Sequence, residues 1–547
     1  MRAWLHRIDR YFPLRYGAWL AALLLALALS IAWLASDFGG YGALFFAALV
    51  GVGWRDVRQE RHSILRNYPL IGHMRFLFEY VRPEIRQYFI ESDNEHTPFS
   101  RQQRSIVYQR AKGDADKRPF GTQLDVQAAG YEWINHSLVP TELSSSDFRT
   151  VVGGEQCARP YRASLFNISA LSFGALSANA IRALNAGAKK GGFAHDTGEG
   201  SISEHHRANG GDLIWEIGSG YFGCRDSRGR FDESRFAANA TDPQVKMIEI
   251  KLSQGAKPAH GGVLPGAKVT PEIAAARGVP AGVDCVSPPR HSEFATPLEL
   301  LEFVARLRRL SGGKPTGFKL CIGHPWEWFA ICKAMLETHS WPDFIVVDGA
   351  EGGTGAAPLE FTDHVGTPLQ EALLLVHNTL VGLNLRDRMK LGCSGKIISA
   401  FDMARAMALG ADWCNSARGF MFALGCIQAQ ACHTGACPVG VTTQDPLRQQ
   451  ALVPADKSER VFRFHRHTLS SLKELTQAAG LEHPNEFRLS HLVRRVSPSE
   501  VRLLSNLLLQ LEPGQLLDAM QGRAKWPHAV YELYWPLAHA ASFARVH

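Results

Sequence analysis

Three cysteines, Cys426, Cys432 and Cys437, fall within twelve residues in the spacing C-x5-C-x4-C. The chain has ten cysteines, and the others are scattered. The group therefore reads as metal-ligating and not as part of a disulfide framework, which fits a reducing compartment. Thiolates are soft ligands that select zinc, copper or iron–sulfur clusters. Structural zinc sites want four ligands and paired C-x2–4-C spacing, which is absent here. His433 is a candidate fourth ligand, but it directly follows Cys432, a spacing at which neighbouring side chains diverge. Three thiolates with no evident fourth partner suggest a [3Fe–4S] cluster. Spacing alone leaves buried, unligated cysteines as the competing account.

Such a group needs a scaffold, and residues 160 to 440 describe one. Short β-branched or aromatic runs alternate there with helical periodicity, the pattern of βα units and a parallel sheet. Predicted strands are Leu165–Ile168, Asp212–Ile217, Gly317–Cys321, Asp343–Asp348 and Met389–Cys393, with Ala411–Cys414 closing one more unit. Ser177, Thr296 and Ser399 are predicted helix caps, Thr296 with a Pro at the first turn and Glu299 completing a capping box. Polar, Gly-rich sequence follows strand after strand, and that end carries the active site in a (β/α)8 barrel. No G-x-G-x-x-G turn follows a first strand, which argues against a doubly wound dinucleotide fold. The expected fold is an α/β (β/α)8 TIM barrel preceded by an N-terminal transmembrane hairpin.

The hairpin is read from two apolar runs, Ala18–Ala35 and the shorter Tyr41–Trp54. The first has about the length that crosses a bilayer. Arg2, Arg7, Arg10 and Arg15 precede the pair, and Arg55, Arg58, Arg61 and Arg66 follow it. Positive charge on both outer flanks predicts both ends in the cytoplasm, hence an inner-membrane protein with its catalytic part facing the cytoplasm. The net charge of +7 is modest for the length and forms no nucleic-acid-binding stripe. The expected division is 1–55 hairpin, 56–150 polar connector, 151–450 barrel with the cysteine segment, and 451–547 helical extension. The connector, including Pro83–Tyr88, carries no chemistry legible from spacing. The extension has Leu472, Leu475, Leu503, Leu504, Leu507 and Leu508 as apolar positions.

Several blocks resemble the FMN-binding glutamate synthase family and occur in that family's order. They are His195–Gly200, Gln254–Pro258 followed by Gly261–Gly266, Glu351–Pro358, and Cys426–Pro438 running on to Gln444. The resemblance implies FMN and a [3Fe–4S] cluster on the barrel, and reduction of 2-iminoglutarate formed from 2-oxoglutarate and ammonia. It places Glu199, Lys257 and Arg277 beside the substrate, where Lys and Arg suit a dicarboxylate. It places Ser172, Gln254 and Lys319 beside the flavin, with Gly353 and Gly355 allowing close backbone approach. The phosphate is expected between Ser394-Gly395-Lys396 and Ala417-Arg418-Gly419, at the two late barrel loops. Cys426, Cys432 and Cys437 are the implied cluster ligands.

The chain also departs from the family pattern. An apolar hairpin stands where the large synthases carry a glutaminase, so ammonia has another source. Val263 replaces a glutamine that touches the substrate, His260 replaces an acidic residue, and Ser201 replaces a glycine. With no NADPH domain visible, electrons are expected from a separate donor: a ferredoxin, a reductase or a membrane carrier. Two further accounts follow from these departures, an oxidoreductase of another small acid and a membrane electron-transfer module.

Overall fold

The computed structural model describes residues 14–59, 61–92, 98–114 and 116–546. The arginines at positions 2, 7 and 10 lie outside the described residues. The chain divides into two units, Met1–Asp93 and Asn94–His547.

Eight parallel strands of the larger unit close into a barrel. They are β1 (Phe166–Ile168), β2 (His195–Asp196), β3 (Leu213–Ile217), β4 (Val245–Lys251), β5 (Thr316–Leu320), β6 (Phe344–Asp348), β7 (Lys390–Ser394) and β8 (Trp413–Ser416). Strand β8 pairs with β1, Cys414 opposite Phe166, which closes the ring. Closure removes every sheet edge. Large rings fill the interior: Trp413 meets Phe344 edge-on at 5.9 Å. Gly392 on β7 makes room for them, because a Cβ there would come within 2.5 Å of the Trp413 ring.

The helix starts follow local chemistry. The Ser177 hydroxyl accepts from the Ala180 N–H, and Thr296 with Glu299 and Ser399 with Asp402 form reciprocal capping boxes. Each helix therefore begins at a fixed residue after its loop, which holds the loop geometry at the C-terminal mouth.

The flanking segments differ from expectation. Residues 98 to 150 are no simple connector, since helix Arg101–Lys112 packs against helix Pro454–Ala478, with the Arg110 guanidinium donating to the Ser471 hydroxyl at 2.9 Å. The extension is only partly helical. Leu492–Ser497 and Glu500–Leu503 form an antiparallel sheet with Glu132–Ile134. Its buried anchor is Glu132, gripped by Arg405 at 2.6 Å and Arg494 at 2.7 Å.

In the smaller unit, helices Gly17–Ser36 and Gly40–Arg58 form a hairpin, tied by a hydrogen bond from the Trp19 indole to the Val50 carbonyl at 3.0 Å. Among the described residues one helix, Gly17–Ser36, is long and apolar enough to cross a membrane. The second helix runs on to Arg58, past the expected boundary at 55. It is followed by helices Ser63–Asn67 and Gly72–Ile85.

Candidate active site

Two cavities open among the loops at the C-terminal mouth of the barrel. The first is lined by Glu199, Lys251, Gln254, Lys257, His260 and His291 among others. Glu199 follows β2, and its carboxylate pairs with the Lys251 ammonium at 3.1 Å from the end of β4. The Lys257 ammonium donates to the Gly261 carbonyl at 2.7 Å. Burial alone would raise the Glu199 carboxyl, but Lys251, Arg277 and Lys257 outweigh it and hold it below its ordinary value. Burial lowers the Lys257 ammonium, with Glu199 opposing and Lys251 reinforcing the shift. The His291 ring lies between the Tyr221 hydroxyl at 3.0 Å and the Lys251 carbonyl at 2.9 Å, and burial pushes its pKa down to about 4.

Arg277 is not among the residues lining this cavity. Its guanidinium is buried, donates to the Phe173 carbonyl at 3.1 Å and lies over the Phe222 ring at 5.2 Å. It fixes the loop after β1 and biases Glu199 from behind. Ser172 sits on that loop, packed beneath Gly198 and Gly200. Ser201 takes a left-handed φ of 74°, the conformation a glycine would hold without strain. Val263 is 41% exposed and pairs with Val286 in a short antiparallel strand pair outside the cavity lining.

Lys319 is sunk inside the barrel. Its ammonium pairs with Glu216, with Glu249 at 3.0 Å and with Asp196 at 3.9 Å. Burial would strip its proton, yet the surrounding carboxylates drive its pKa well above the usual value. Burial and mutual repulsion raise Asp196 and Glu249 in turn. These three carboxylates are the one triad of potential metal ligands among the described residues whose atoms lie within 4.8 Å of one another. The lysine already occupies their centre of charge.

The second, small cavity is lined by Cys426, Cys432 and Cys437 with Met421, Ile427 and Val441. The three thiols do not form a triad of the converging kind just described. A tetrahedral metal with bonds of about 2.3 Å would need sulfurs about 4 Å apart. Thiols standing around a hollow instead fit a polynuclear cluster. The surroundings differ among the three: the Arg418 guanidinium reaches the Cys432 sulfur at 3.8 Å and the Lys268 ammonium reaches the Cys432 carbonyl at 3.3 Å, while burial pushes the Cys426 thiol up. Burial would raise the Cys437 thiol, but backbone N–H groups of Thr442, Val439 and Val441 bring it below its ordinary value. Gln428 and Gln430 hold left-handed φ of 60° and 55° within the loop, strain of the kind found at ligand clamps.

The Gly353 loop packs against the cysteine segment. Arg418 also donates to the Gly353 carbonyl at 2.8 Å. A Cβ on Gly355 would come 3.1 Å from the Cys432 and His433 backbone, so Gly355 admits the cysteine loop rather than opening onto a hollow. Gly353 itself faces open space. Helix Arg418–Leu424 begins at Ala417 with no side-chain cap, and Gly419 is buried against Ser416. Ser394 donates to Asp348, Gly395 packs against Leu369, and Lys396 lies over the Phe99 ring at 5.7 Å.

A family model described as the conserved region in glutamate synthase matches residues 139–482. The chain belongs to the glutamate synthase family. It is thus an oxidoreductase of glutamate synthase type. It is 38% identical over 497 residues to the glutamate synthase large subunit-like protein YerD of Bacillus subtilis, covering 83% of this chain and 94% of the relative. It is 36% identical over 315 residues to the archaeal glutamate synthase [NADPH] of Methanocaldococcus jannaschii, covering 57% of this chain and 58% of that one. The chain thus spans little more than half of this second relative. Among solved structures, flavocytochrome b2 with pyruvate bound covers 83% of this chain and 92% of its own at 13% identity and a TM-score of 0.39. A mandelate oxidase covers 79% and 98% at 15% identity and a TM-score of 0.39.

Within the family's barrel, three contributors escaped the sequence reading. Lys251 and His291 line the first cavity. The signal for Lys251 was available, since a buried carboxylate such as Glu199 requires a counter-cation. Tyr108, from the segment read as connector, donates to the Cys426 carbonyl at 2.6 Å and had no spacing to announce it.

Proposed function

We propose that the protein reduces 2-iminoglutarate, formed from 2-oxoglutarate and ammonia, to glutamate, with FMN at the barrel mouth and a three-cysteine iron–sulfur cluster beside it. The observation that carries this is one barrel whose mouth loops hold both a cavity with Lys251 and Lys257 around one carboxylate and a second cavity lined by three thiols. When bound, FMN supplies the hydride and the cluster passes electrons singly. Ser172, Gln254 and Gly353 would hold the flavin, and Ser394-Gly395-Lys396 with Ala417-Arg418-Gly419 its phosphate. Lys319 keeps a positive charge in the barrel beneath it.

The chain's own residues do the rest. Lys251 and Lys257 attract and orient an acidic substrate. Lys257, lowered by burial, is the better proton donor and acceptor at the substrate carbonyl as the imine forms. Glu199 stays ionised and holds Lys251, while the Gly261 carbonyl holds Lys257. Neutral His291 fixes the Lys251 backbone. Electrons come from a separate donor, either a ferredoxin, a reductase or a membrane carrier. The apolar hairpin anchors the protein in the cytoplasmic membrane with the barrel on the cytoplasmic side.

A second reading is an oxidoreductase of another small acid. His260 lines the cavity where the family's synthases carry an acidic residue, which alters the charge offered to the substrate. Anaerobic titration of the reduced protein with 2-oxoglutarate and ammonia separates the two. Flavin reoxidation that needs both supports the first, and no response to the pair supports the second.

A further inference from the structure

Among the described residues, helix Gly72–Ile85, which follows the hairpin, has an exposed apolar face and a basic edge. Helix Gly72–Ile85 continues into a π-helical turn, Arg86–Ile90. Met74, Leu77, Phe78, Val81 and Ile85 recur at i, i+3, i+4, i+7 and i+11, which is one helical face. Arg75, Glu79, Arg82 and Arg86 recur at i, i+4, i+7 and i+11 on an adjoining edge. Met74, Leu77 and Phe78 are 52%, 57% and 58% exposed, and Phe89 beyond them is 85% exposed. At 14 residues the helix is too short to cross a bilayer.

Its start is fixed to the foot of the hairpin. Asp56, 2% exposed near the end of the second hairpin helix, accepts from the Leu70 N–H at 3.1 Å and pairs with the His73 ring at 2.9 Å. The same end of the hairpin carries an aromatic cluster. Trp19 lies 6.1 Å from Trp54 and 6.4 Å from Tyr16, and the Arg58 guanidinium stands 4.6 Å over Trp54. Trp and Tyr with flanking Arg mark the level of a bilayer interface. Asp56 is two residues from Trp54, so the clamp starts the short helix at that level.

We propose that residues 72–90 form an amphipathic helix lying in the plane of the membrane interface, its arginine edge binding anionic phospholipid headgroups. This rests on the membrane reading of the hairpin. The apolar face enters the acyl boundary, as interfacial helices do. Arg75, Arg82 and Arg86 outnumber Glu79 and Glu84 in this segment, with Arg75 pairing with Glu79 at 2.9 Å, and Arg55, Arg58, Arg61 and Arg66 add to the positive charge around the clamp. Basic residues at this depth favour anionic over zwitterionic lipid.

The test is hydrogen exchange by segment on the full chain in three settings: detergent, nanodiscs of phosphatidylcholine, and nanodiscs of phosphatidylcholine with phosphatidylglycerol. The expected result is protection of 17–58 in both nanodiscs, with 72–90 exchanging about tenfold more slowly in the anionic discs than in the zwitterionic ones. The combined Arg75→Gln, Arg82→Gln, Arg86→Gln variant should lose that difference while 17–58 stays protected. Protection of 17–58 with 72–90 exchanging equally in all three settings overturns the proposal. Equal protection of 72–90 in detergent also overturns it, because protein then covers that face. If 17–58 is unprotected in both nanodiscs, the membrane reading itself fails.

Discussion

The two cavities at the barrel mouth are built on opposite principles. Around Glu199 every charge has a partner: Lys251 holds the carboxylate, Lys257 holds a carbonyl, and His291 is held at both ring nitrogens. Around Cys426, Cys432 and Cys437 the walls are largely apolar and the thiols ring a hollow. The first cavity is preorganised by the chain itself, as an electrostatic site should be. The second offers three thiols with few polar partners of its own, as the proposed cluster site would. The contrast separates residues that tune a reaction from residues that only hold a cofactor, and substitutions in each should fail differently.

The largest expected effect is at the second cavity. Cys437→Ser should remove all three of the roughly three irons that three cysteine ligands imply per chain, read by iron analysis and the visible spectrum. Flavin content should survive. Retained iron would mean that the thiols are not its ligands.

Next is Lys257→Ala, expected to cut turnover by about 10²–10⁴-fold, the usual yield of a positioned proton-transfer group, with flavin still bound. Loss of flavin instead would merge the two cavities into one cofactor site and break the comparison.

Third is the pH dependence. Glu199 is held below its ordinary value. The stability its ion pair supplies is therefore complete above its unfolded-state value and disappears as pH falls through the lowered folded value. Glu199→Gln should lower thermal stability near neutral pH and flatten the acid side of the stability profile. An unchanged profile would show that the Lys251 pair is not coupled to folding.

The smallest effect is expected at Val263→Gln. Because Val263 pairs with Val286 outside the cavity lining, the KM for 2-oxoglutarate should change by less than about tenfold, the scale of one hydrogen bond. A larger change would bring that strand pair into the substrate site.

How far the sequence carried these conclusions differs by region. The barrel was legible because its strands are short apolar runs closed by capped helices, and Ser177, Thr296 and Ser399 cap where their chemistry says they should. The cysteine segment was legible because its three thiols are close in the chain. Arg277 was harder: its motif placed it near the substrate, but folding turned its guanidinium onto Phe173 and Phe222, a tertiary choice that no local pattern records. Gly355 likewise reads as a cofactor glycine until the Cys432 backbone is seen against it. The strands at Leu492–Leu503 were hidden by leucines that suit a helix equally well, and their pairing partner, Glu132–Ile134, lies about 360 residues away in sequence.

The most direct test of the central claim is cofactor content. The full chain would be purified anaerobically, with FMN, iron and labile sulfide counted on the same sample. The account predicts one FMN and about three irons per barrel, from three cysteine ligands. A well-folded sample with neither flavin nor iron would contradict it.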